Sequence, residues 1–303
     1  MELRVLRYFL TVAREENLSN AAERLHITQP TLSRQLMELE EELGTKLFVR
    51  GRRSRRIMLT EPGMFLRTHA EEVILLMDKI ESAFSVSGDS VSGDIYVATG
   101  ETTATRLLAM ASKSLQKEHP NIRYHIFSGD GREAESRLDK GLVDFALILG
   151  SVDTNKYDFI DIPTQDVWGV LMRRDAPLAK LNSIRAEDLW DKPLIFSRQV
   201  NEGDEFFQWL QKEPAELNVV AYYNQAYNSP LMTETGLGYT IILDKRFDAS
   251  ENSDLCFRPF EPPLVFDVHL AWKKYQMFSK AAKLFLNRLK EIIDENSGDA
   301  PAR

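Results

Sequence analysis

The sequence predicts an α/β protein whose N-terminal part is all-α. Three short segments within residues 1–43 repeat apolar residues at helical spacing, and one longer helix is expected to follow them. From Asp94 onward, apolar runs of strand length alternate with amphipathic helices. A chain of 303 residues has room for two or three domains. We place the domain boundaries at 1–60, 61–87, 88–94 and 95–303.

Composition restricts the class of protein. Apolar residues make up 43% of the chain and charged residues 28%, as in globular proteins with well-filled cores. A single cysteine, Cys256, excludes an intrachain disulfide and fits a reducing compartment. The charged start Met-Glu-Leu-Arg and the absence of long apolar runs predict neither a signal peptide nor a membrane span. We therefore expect a cytoplasmic protein.

Charge is distributed unevenly along the chain. The net charge of −8 argues against a nucleic-acid partner if it is taken as a whole. However, residues 1–60 carry 11 basic and 8 acidic side chains, a net charge of +3. The remaining residues carry 27 basic and 38 acidic side chains, a net charge of −11. A basic head on an acidic body indicates one surface suited to phosphates.

The first three helices have the spacing of a helix-turn-helix. We expect helices over residues 3–14 and 20–25, with Ser19 as the N-cap of the second. Thr28 is expected to cap the third helix, because threonine is a favourable N-cap residue. Pro30 is compatible with this start, since proline is tolerated in a first helical turn. Only about three residues join the second and third helices, which predicts the tight joint of this motif.

The third helix has one apolar face and an exposed N-terminal end. Leu32, Leu36, Leu39 and Leu43 are spaced to form one buried stripe, and Gly44 is expected to close the helix. Acidic residues fill the C-terminal half of the helix, so it is expected to enter a DNA groove by its N-terminal end. The predicted DNA contacts in this region are Ser19, Thr28, Gln29, Pro30, Thr31, Ser33 and Arg34.

A basic hairpin is predicted directly after this helix. Two apolar segments flank a Gly-Arg-Arg-Ser tip, and the stretch from Lys46 to Arg56 holds six basic residues and no acidic ones. Such a wing suits phosphates or a minor groove, and a solvated basic loop is the alternative. Its position favours DNA contact. The candidate contacts in the wing are Arg50, Arg52, Arg53 and Arg55.

These residues together resemble the LysR-type family of transcriptional regulators. The matching pattern is Ser19-x-Ala21-Ala22-x-x-Leu25-x-x-x-Gln29-Pro30-x-x-Ser33-x-x-Leu36-x-x-Leu39-Glu40-x-x-Leu43-Gly44-x-x-Leu47-Phe48-x-Arg50, then Leu59-Thr60-x-x-Gly63. The resemblance implies a winged helix-turn-helix, a long linker helix and a two-lobed α/β effector domain resembling periplasmic binding proteins. It implies lobe I at about 95–162 and 266–303, and lobe II at about 163–265. It also implies a regulator of transcription that binds promoter DNA and a small-molecule effector, with RNA polymerase as a possible further partner.

Thr60 is expected to cap a linker helix that continues to about Ser85, and this helix has an apolar heptad seam. Its members are Leu66, Ala70, Val73, Met77, Ile80 and Phe84. The alternative is a helix that packs on its own domain. A Ser- and Gly-rich stretch follows the helix and is expected to form a flexible hinge. A helix in this position has little of its own domain to pack on, which favours a dimer contact through Leu66, Val73, Met77 and Ile80. The resemblance also implies a homotetramer, because members of the family commonly form tetramers as pairs of homodimers.

The C-terminal two-thirds alternates strands and helices, which predicts a mostly parallel sheet covered on both faces. Predicted strands are 95–98, 122–127, 143–149, 167–172, 194–196, 219–222, 239–243 and 264–272. Predicted helices are 104–117, 133–140, 205–211, 229–235 and 280–293. With the return to lobe I that the resemblance implies, the chain would cross between lobes near residues 162–167 and 259–266.

Ligands of such sheets bind where the strands' carboxyl ends meet helix N-termini. The candidate effector residues in these loops are Thr99, Gly100, Glu101, Thr102, Thr103, Ser128, Gly129, Ser197, Arg198 and Gln199. They suit a carboxylate or another polar molecule; the alternative is that Thr102 and Ser128 are simple N-caps. Glu101 and Asp130 would repel an acid if they face inward, and would then prefer an amine. The alternatives are that both side chains point to solvent, or that Arg132 and Arg198 offset their charge.

Enzyme chemistry finds little support in the sequence. The five histidines lack metal-ligand spacing, and neither a Gly-x-Ser-x-Gly elbow nor a phosphate loop is present. Gly236-Leu237-Gly238 lacks the third glycine of a dinucleotide loop, and Asp244 stands where the LysR-type pattern commonly has proline. Glu101 with Asp130 is the one acidic pair that could serve a catalyst. We expect no enzyme, no metal and no cofactor besides the effector. The other alternative is a ligand-independent regulator or architectural protein whose lobes serve only oligomerisation.

Overall fold

A computed structural model of the chain describes residues 1–50, 56–84, 91–198, 205–244 and 254–298. The contacts divide the chain into two compact units, Met1–Ser85 and Val86–Arg303. The predicted site residues Arg52, Arg53, Arg55 and Gln199 lie outside the described residues, as do residues 88–90 of the predicted hinge. Across the described ranges, no helix combines the length and the apolarity that crossing a membrane requires.

The first unit holds four helices and a two-stranded hairpin among its described residues. Its elements are α1 (Leu3–Glu15), α2 (Leu18–Arg24), α3 (Gln29–Leu43), β1 (Phe48–Arg50), β2 (Ile57–Leu59) and α4 (Glu61–Phe84). The two strands pair antiparallel, with Phe48 opposite Leu59, which confirms the predicted hairpin. Phe9 and Leu32 are fully buried at the centre of the helical core, and Leu47 at the start of the hairpin packs on them.

The cap of α2 differs from the sequence prediction. Asn17, not Ser19, is the N-cap: its Oδ1 accepts hydrogen bonds from the backbone N–H groups of Ser19 (2.8 Å) and Asn20 (3.2 Å). An Asn side chain satisfies two of the free N–H groups of the first turn from this position. Ser19 therefore lies one residue inside the helix, with an exposed side chain.

The third helix begins as predicted and buries one leucine fewer. Thr28 caps it by accepting from the N–H of Thr31 at 3.4 Å, and Gly44 ends it at φ +66°. Leu32, Leu36 and Leu39 are buried, whereas Leu43 is 41% exposed. The prediction for Leu43 was wrong because the last turn of α3 extends past the core of the unit.

The linker helix α4 packs on its own unit along one side. Ala70 is 1% exposed within the helical core, and Leu66 packs against the edge of that core. Thr60 Oγ1 accepts from the N–H of Gly63 at 3.0 Å, the expected cap of the helix. Arg7 of α1 donates to Asp78 of α4 at 2.7 Å. The alternative of a helix packed on its own domain therefore holds for this side of α4.

The second unit alternates strands and helices in two lobes. Its elements are β3 (Gly93–Thr99), α5 (Thr105–Glu118), β4 (Ile122–Ser128), α6 (Gly131–Asp139), β5 (Phe145–Leu149), β6 (Tyr157–Arg173), β7 (Leu194–Ser197), α7 (Glu205–Leu210), β8 (Val219–Tyr223), α8 (Ser229–Glu234), β9 (Tyr239–Leu243), β10 (Leu255–Pro259), β11 (Val265–Lys273) and α9 (Lys280–Gly298). Gly93 and Asp94, predicted as the end of the hinge, belong to β3.

Each lobe has a core of three parallel strands. Lobe I has β4, β3 and β5 in that order, with β11 antiparallel beside β5. Lobe II has β8, β7 and β9, with the C-terminal half of β6 antiparallel to β9 and β10. Helices α5 and α9 bury Leu115 and Phe285 in lobe I, and α7 buries Phe206 in lobe II.

Strand β6 is longer than predicted and connects the two lobes. Its N-terminal half, from Tyr157, pairs with β11 in lobe I, and the sequence analysis did not identify it as a strand. The pairing register shifts between Asp267 and Val268, which leaves Pro163 and Thr164 out of the ladder. A proline lacks the N–H that a ladder needs, so it is tolerated at such a bulge. Strand β10 was also missed.

Candidate functional site

The N-terminal end of α3 presents an exposed polar surface. Gln29, Pro30 and Thr31 are exposed, and Ser33 is half-buried. The Arg34 side chain is 69% exposed, and its Nε lies 3.7 Å from Glu38 Oε1 one turn further along. An exposed pair at this distance stabilises little, so Arg34 is available to an incoming partner. The unit Met1–Ser85, here called the DNA-binding unit, thus offers a cation beside the positive end of a helix dipole.

The base of the wing is fixed to α1 through Glu16. The backbone oxygen of Glu16 accepts from Ile57 at 2.8 Å, and its side chain accepts a short hydrogen bond from Arg56 Nε. This hydrogen bond from Arg56 holds the pKa of Glu16 below its usual value. Arg56 is thus bonded within the unit, although it belongs to the basic cluster of the wing. Arg50 lies in β1 at the other side of the hairpin.

Glu40 has a structural role that its place in the acidic half of α3 conceals. Its Oε1 accepts from the N–H groups of Leu47 (2.8 Å) and Phe48 (3.3 Å), and Oε2 accepts from Lys46 Nζ at 2.6 Å. The side chain is only 10% exposed. Burial raises the pKa of Glu40, but the hydrogen bonds from Lys46, Leu47 and Phe48 outweigh burial and lower it. Glu40 therefore anchors the start of the wing on α3.

A cavity of about 280 Å³ lies between the two lobes of the second unit. Lobe I, lobe II and the strands that connect them all contribute to its wall. Its lining residues are Gly100, Glu101, Leu149, Gly150, Ser151, Trp168, Ser197, Glu205, Phe206, Tyr223, Asn224, Ala226, Ile242, Leu243 and Phe266. We call this the effector cavity.

The loop after β3 contributes only two of its five predicted residues to the effector cavity, Gly100 and Glu101. Thr99 is buried, and its Oγ1 donates to the backbone oxygen of Gly100 at 2.6 Å. Thr102 is buried and accepts from the N–H of Ala104 at 3.2 Å, in a local turn. Thr103 Oγ1 donates to Asp166 Oδ1 of β6 at 2.7 Å, which ties this loop to the strand that crosses between lobes.

The other two predicted loops contribute one described residue, Ser197, to the cavity wall. Gly129 donates its N–H to Thr99 O at 3.1 Å, and Arg198 donates its N–H to Tyr223 O at 2.7 Å. Ser128, at the end of β4, and Arg198 are exposed and do not line this cavity, nor does Gly129.

Glu101 faces the cavity and Asp130 does not. Glu101 Oε2 of lobe I accepts a short hydrogen bond from the backbone N–H of Ala226 in lobe II. Asp130 instead caps α6, accepting from the N–H of Glu133 at 2.8 Å. The acidic pair considered for catalysis is therefore not brought together in the cavity. Within the described ranges, no cluster of His, Cys, Asp and Glu is placed to hold a metal ion.

Four aromatic residues of the cavity wall were not among the predicted site residues: Trp168, Phe206, Tyr223 and Phe266. The Trp168 ring lies 6.2 Å from that of Phe266 and 6.1 Å from that of Phe206, measured between centroids. Trp168 and Phe266 stand where β6 and β11 pass between the lobes. The predicted crossings near these positions were the signal that could have identified them. Phe206 had no such signal, because it lies in a short amphipathic helix.

Asp244, which replaces the more common proline, closes the end of β9 on β6. Its side-chain Oδ1 accepts from the N–H of Val167 at 3.0 Å, and its own N–H donates to Val167 O at 2.7 Å. A proline lacks that N–H, so the second hydrogen bond depends on the residue found here. The turn is thus bonded directly to the strand that joins the two lobes.

Two protein-family models match the chain. Residues 3–64 match the model described as "Bacterial regulatory helix-turn-helix protein, lysR family". Residues 88–293 match the model described as "LysR substrate binding domain". The two matched ranges correspond to the DNA-binding unit and to the two-lobed unit with its effector cavity.

Individual relatives extend over most of the chain. The HTH-type transcriptional regulator IlvY of Escherichia coli (strain K12) is 33% identical over 80% of this chain and 81% of its own length. The regulator YvbU of Bacillus subtilis (strain 168) is 26% identical over 97% and 99%. The crystal structure of full-length CbnR with its target DNA covers 96% of this chain and 100% of that one, at TM-score 0.69 and 19% identity. The chain belongs to the LysR family of DNA-binding transcriptional regulators with an effector-binding domain.

Proposed function

We propose that this regulator binds promoter DNA as a homodimer, or as a tetramer built from two dimers, and acts in the cytoplasm where that DNA lies. A small molecule held in the effector cavity shifts the balance between lobe arrangements. The protein needs no further cofactor and catalyses no reaction; RNA polymerase is its further partner at the promoter. The observation that carries the DNA-binding part is the exposed, acid-free N-terminal turn of α3.

Arg34 is the side chain best placed to read a base. It projects from the N-terminal part of α3, the part of a recognition helix that reaches base edges in the major groove. We expect Arg34→Ala to cost about 1–3 kcal/mol at one operator base pair and to relax the sequence preference there. Binding to an operator library at fixed salt measures both effects.

Arg52 and Arg53 of the wing provide the matched comparison. We expect Arg52→Ala and Arg53→Ala to weaken binding to all sequences alike and to flatten the dependence of affinity on salt concentration, because phosphate contacts release counterions. An unchanged base preference in Arg34→Ala would contradict this docking of α3. So would a loss of base preference that appears only in the wing variants.

The exposed apolar side of α4 supports the dimer. Val73 and Ile80, seven residues apart, are 41% and 52% exposed. Apolar side chains repeated at heptad spacing on one helix are typical of a helix–helix contact between chains. We therefore assign to the partner the exposed side of α4 that carries Val73 and Ile80, with Met77 between these two positions.

Ile80→Asp tests this assignment. Placing a charge in an apolar helix contact leaves it buried and unpaired, so we expect the dimer dissociation constant to rise by at least about a hundredfold. Sedimentation velocity over a concentration series measures the change. Glu81→Ala, at an exposed neighbouring position, is the control and should leave the dimer intact. A dimer that is unaffected by Ile80→Asp would place the interface elsewhere.

A further inference from the structure

The effector cavity is acidic. Glu101 and Glu205 line it, and its described lining residues include no lysine, arginine or histidine. The other polar lining side chains, such as Ser151, Ser197 and Asn224, are neutral. Arg198 follows Ser197 in the chain but is exposed and does not border the cavity. A charged ligand would therefore find only carboxylates as charged neighbours along the described wall.

Glu101 already uses a donor that an acidic ligand would need. The backbone N–H of Ala226 lies across the cavity in lobe II and donates to the Glu101 carboxylate. A carboxylate ligand would have to displace Glu101 from this N–H or bind without it. In either case two like charges would be brought close together inside a partly enclosed space, where charge repulsion is strong. The arrangement thus selects against anions.

The aromatic wall favours the opposite charge. Trp168, Phe206 and Phe266 line the cavity, and aromatic ring faces attract organic cations. The carboxylate of Glu101 at the inter-lobe contact adds a charged acceptor for the N–H groups of an ammonium. A volume of about 280 Å³ limits the occupant to a small molecule.

We propose that the effector is a small organic amine bound as a cation, with Glu101 as its charged partner and the aromatic wall around its apolar part. This inference rests on the proposed function, because it specifies the ligand class of the same cavity. It also gives Glu101 two states. Without the amine, the Glu101 carboxylate accepts a hydrogen bond from the N–H of Ala226 across the cavity. With the amine, the carboxylate pairs with the ligand cation, either in addition to this hydrogen bond or in place of it.

Matched ligand pairs test the sign of the charge. Benzylamine against benzoate, and 1,4-diaminobutane against succinate, differ mainly in charge and can be titrated calorimetrically into the full-length protein. We expect the amine of at least one pair to bind about tenfold or more tightly than its acid. Tighter binding of the acids would overturn the inference and leave an effector-responsive regulator in place. If neither class bound at millimolar concentration, the inference and the proposed effector role of the cavity would both fail.

Two variants separate the residues involved. Glu101→Gln keeps an oxygen that can accept from Ala226 but removes the charge, so amine binding should weaken about tenfold or more. Arg198→Gln is the matched control and should leave amine binding unchanged. Retained operator binding and an unchanged circular dichroism spectrum establish that both variants are folded. Loss of binding in Arg198→Gln together with unchanged binding in Glu101→Gln would assign the site to an anion and overturn the inference.

Discussion

Gly63→Ala is expected to destabilise the DNA-binding unit by about 3 kcal/mol, although alanine is the better helix former. A Cβ at position 63 would lie 2.2 Å from the backbone oxygen of Leu47 and 3.0 Å from a methyl carbon of Leu59. Leu47 O also accepts from the N–H of Thr60 at 2.9 Å, and Leu47 is fully buried. Relief of the clash would therefore have to move the backbone where the wing starts.

Gly44→Ala is the control for this prediction. Gly44 has open space around its Cα but adopts φ +66°, so alanine there should cost only about 1 kcal/mol. Hydrogen exchange of the α3 amides in the full chain, as a function of urea, measures local stability for both variants. If Gly63→Ala instead increased local stability by the amount that helix propensity alone provides, the prediction would be contradicted. The wing would then accommodate the new methyl group without a loss of free energy of unfolding.

Glu40→Ala should be similarly damaging. It removes the acceptor of two backbone N–H groups at the start of β1 and the partner of Lys46. Loss of these largely buried hydrogen bonds is expected to cost about 3 kcal/mol, with a corresponding loss of operator binding as the wing detaches from α3. Glu41→Ala, one residue further along on the exposed side of the helix, is the control.

The pH dependence follows from the lowered pKa of Glu40. Because the folded state binds the proton less tightly than the unfolded chain, ionised Glu40 contributes stability at pH values above its ordinary pKa of 4.5. That contribution is lost as the pH falls through the lowered pKa. Glu40→Gln keeps an acceptor but has no charge to lose. The local stability reported by hydrogen exchange of the α3 amides should therefore fall less steeply with decreasing pH in this variant. Parallel curves for Glu40→Gln and the unchanged chain would contradict the assignment.

The local signals of the sequence were sufficient for most elements of the DNA-binding unit. Thr28 with Pro30, and Gly44, defined both ends of α3, because an N-cap, a first-turn proline and a left-handed C-cap each have strong local preferences. The choice between Asn17 and Ser19 as the cap of α2 failed for the opposite reason. Both residue types cap helices well, and only the path of the chain out of α1 decides between them.

Tertiary packing decided the remaining differences. Leu43 continues the leucine spacing of α3, yet the core that covers Leu39 ends before it. The first half of β6 contains Pro163 and several acidic residues, so its strand pattern is broken until its pairing with β11 is known. Neither feature is encoded within a window of a few residues.

The effector cavity was predictable in its location and less so in its chemistry. The carboxyl ends of β3 and β7 lead to it, so Gly100, Glu101 and Ser197 were found from strand order alone. Whether Glu101 or the neighbouring Thr102 faces the cavity depends on the turn between β3 and α5, in which Thr102 bonds Ala104. Phe206 lies far from the cavity loops of lobe I in sequence, and only the fold brings it there.

The antiparallel ribbon formed by β6 and β11 limits how the lobes can move. Separating the lobes by a free hinge would require breaking the hydrogen-bonded ladder between the two strands, whereas twisting or bending the ribbon preserves it. The ladder between β6 and β11 skips Pro163 and Thr164, so we expect the ribbon to deform most easily there. We therefore expect small rotations of the lobes about the bulge to have a low free-energy cost. Larger openings should cost more, because they strain more of the pairing between β6 and β11.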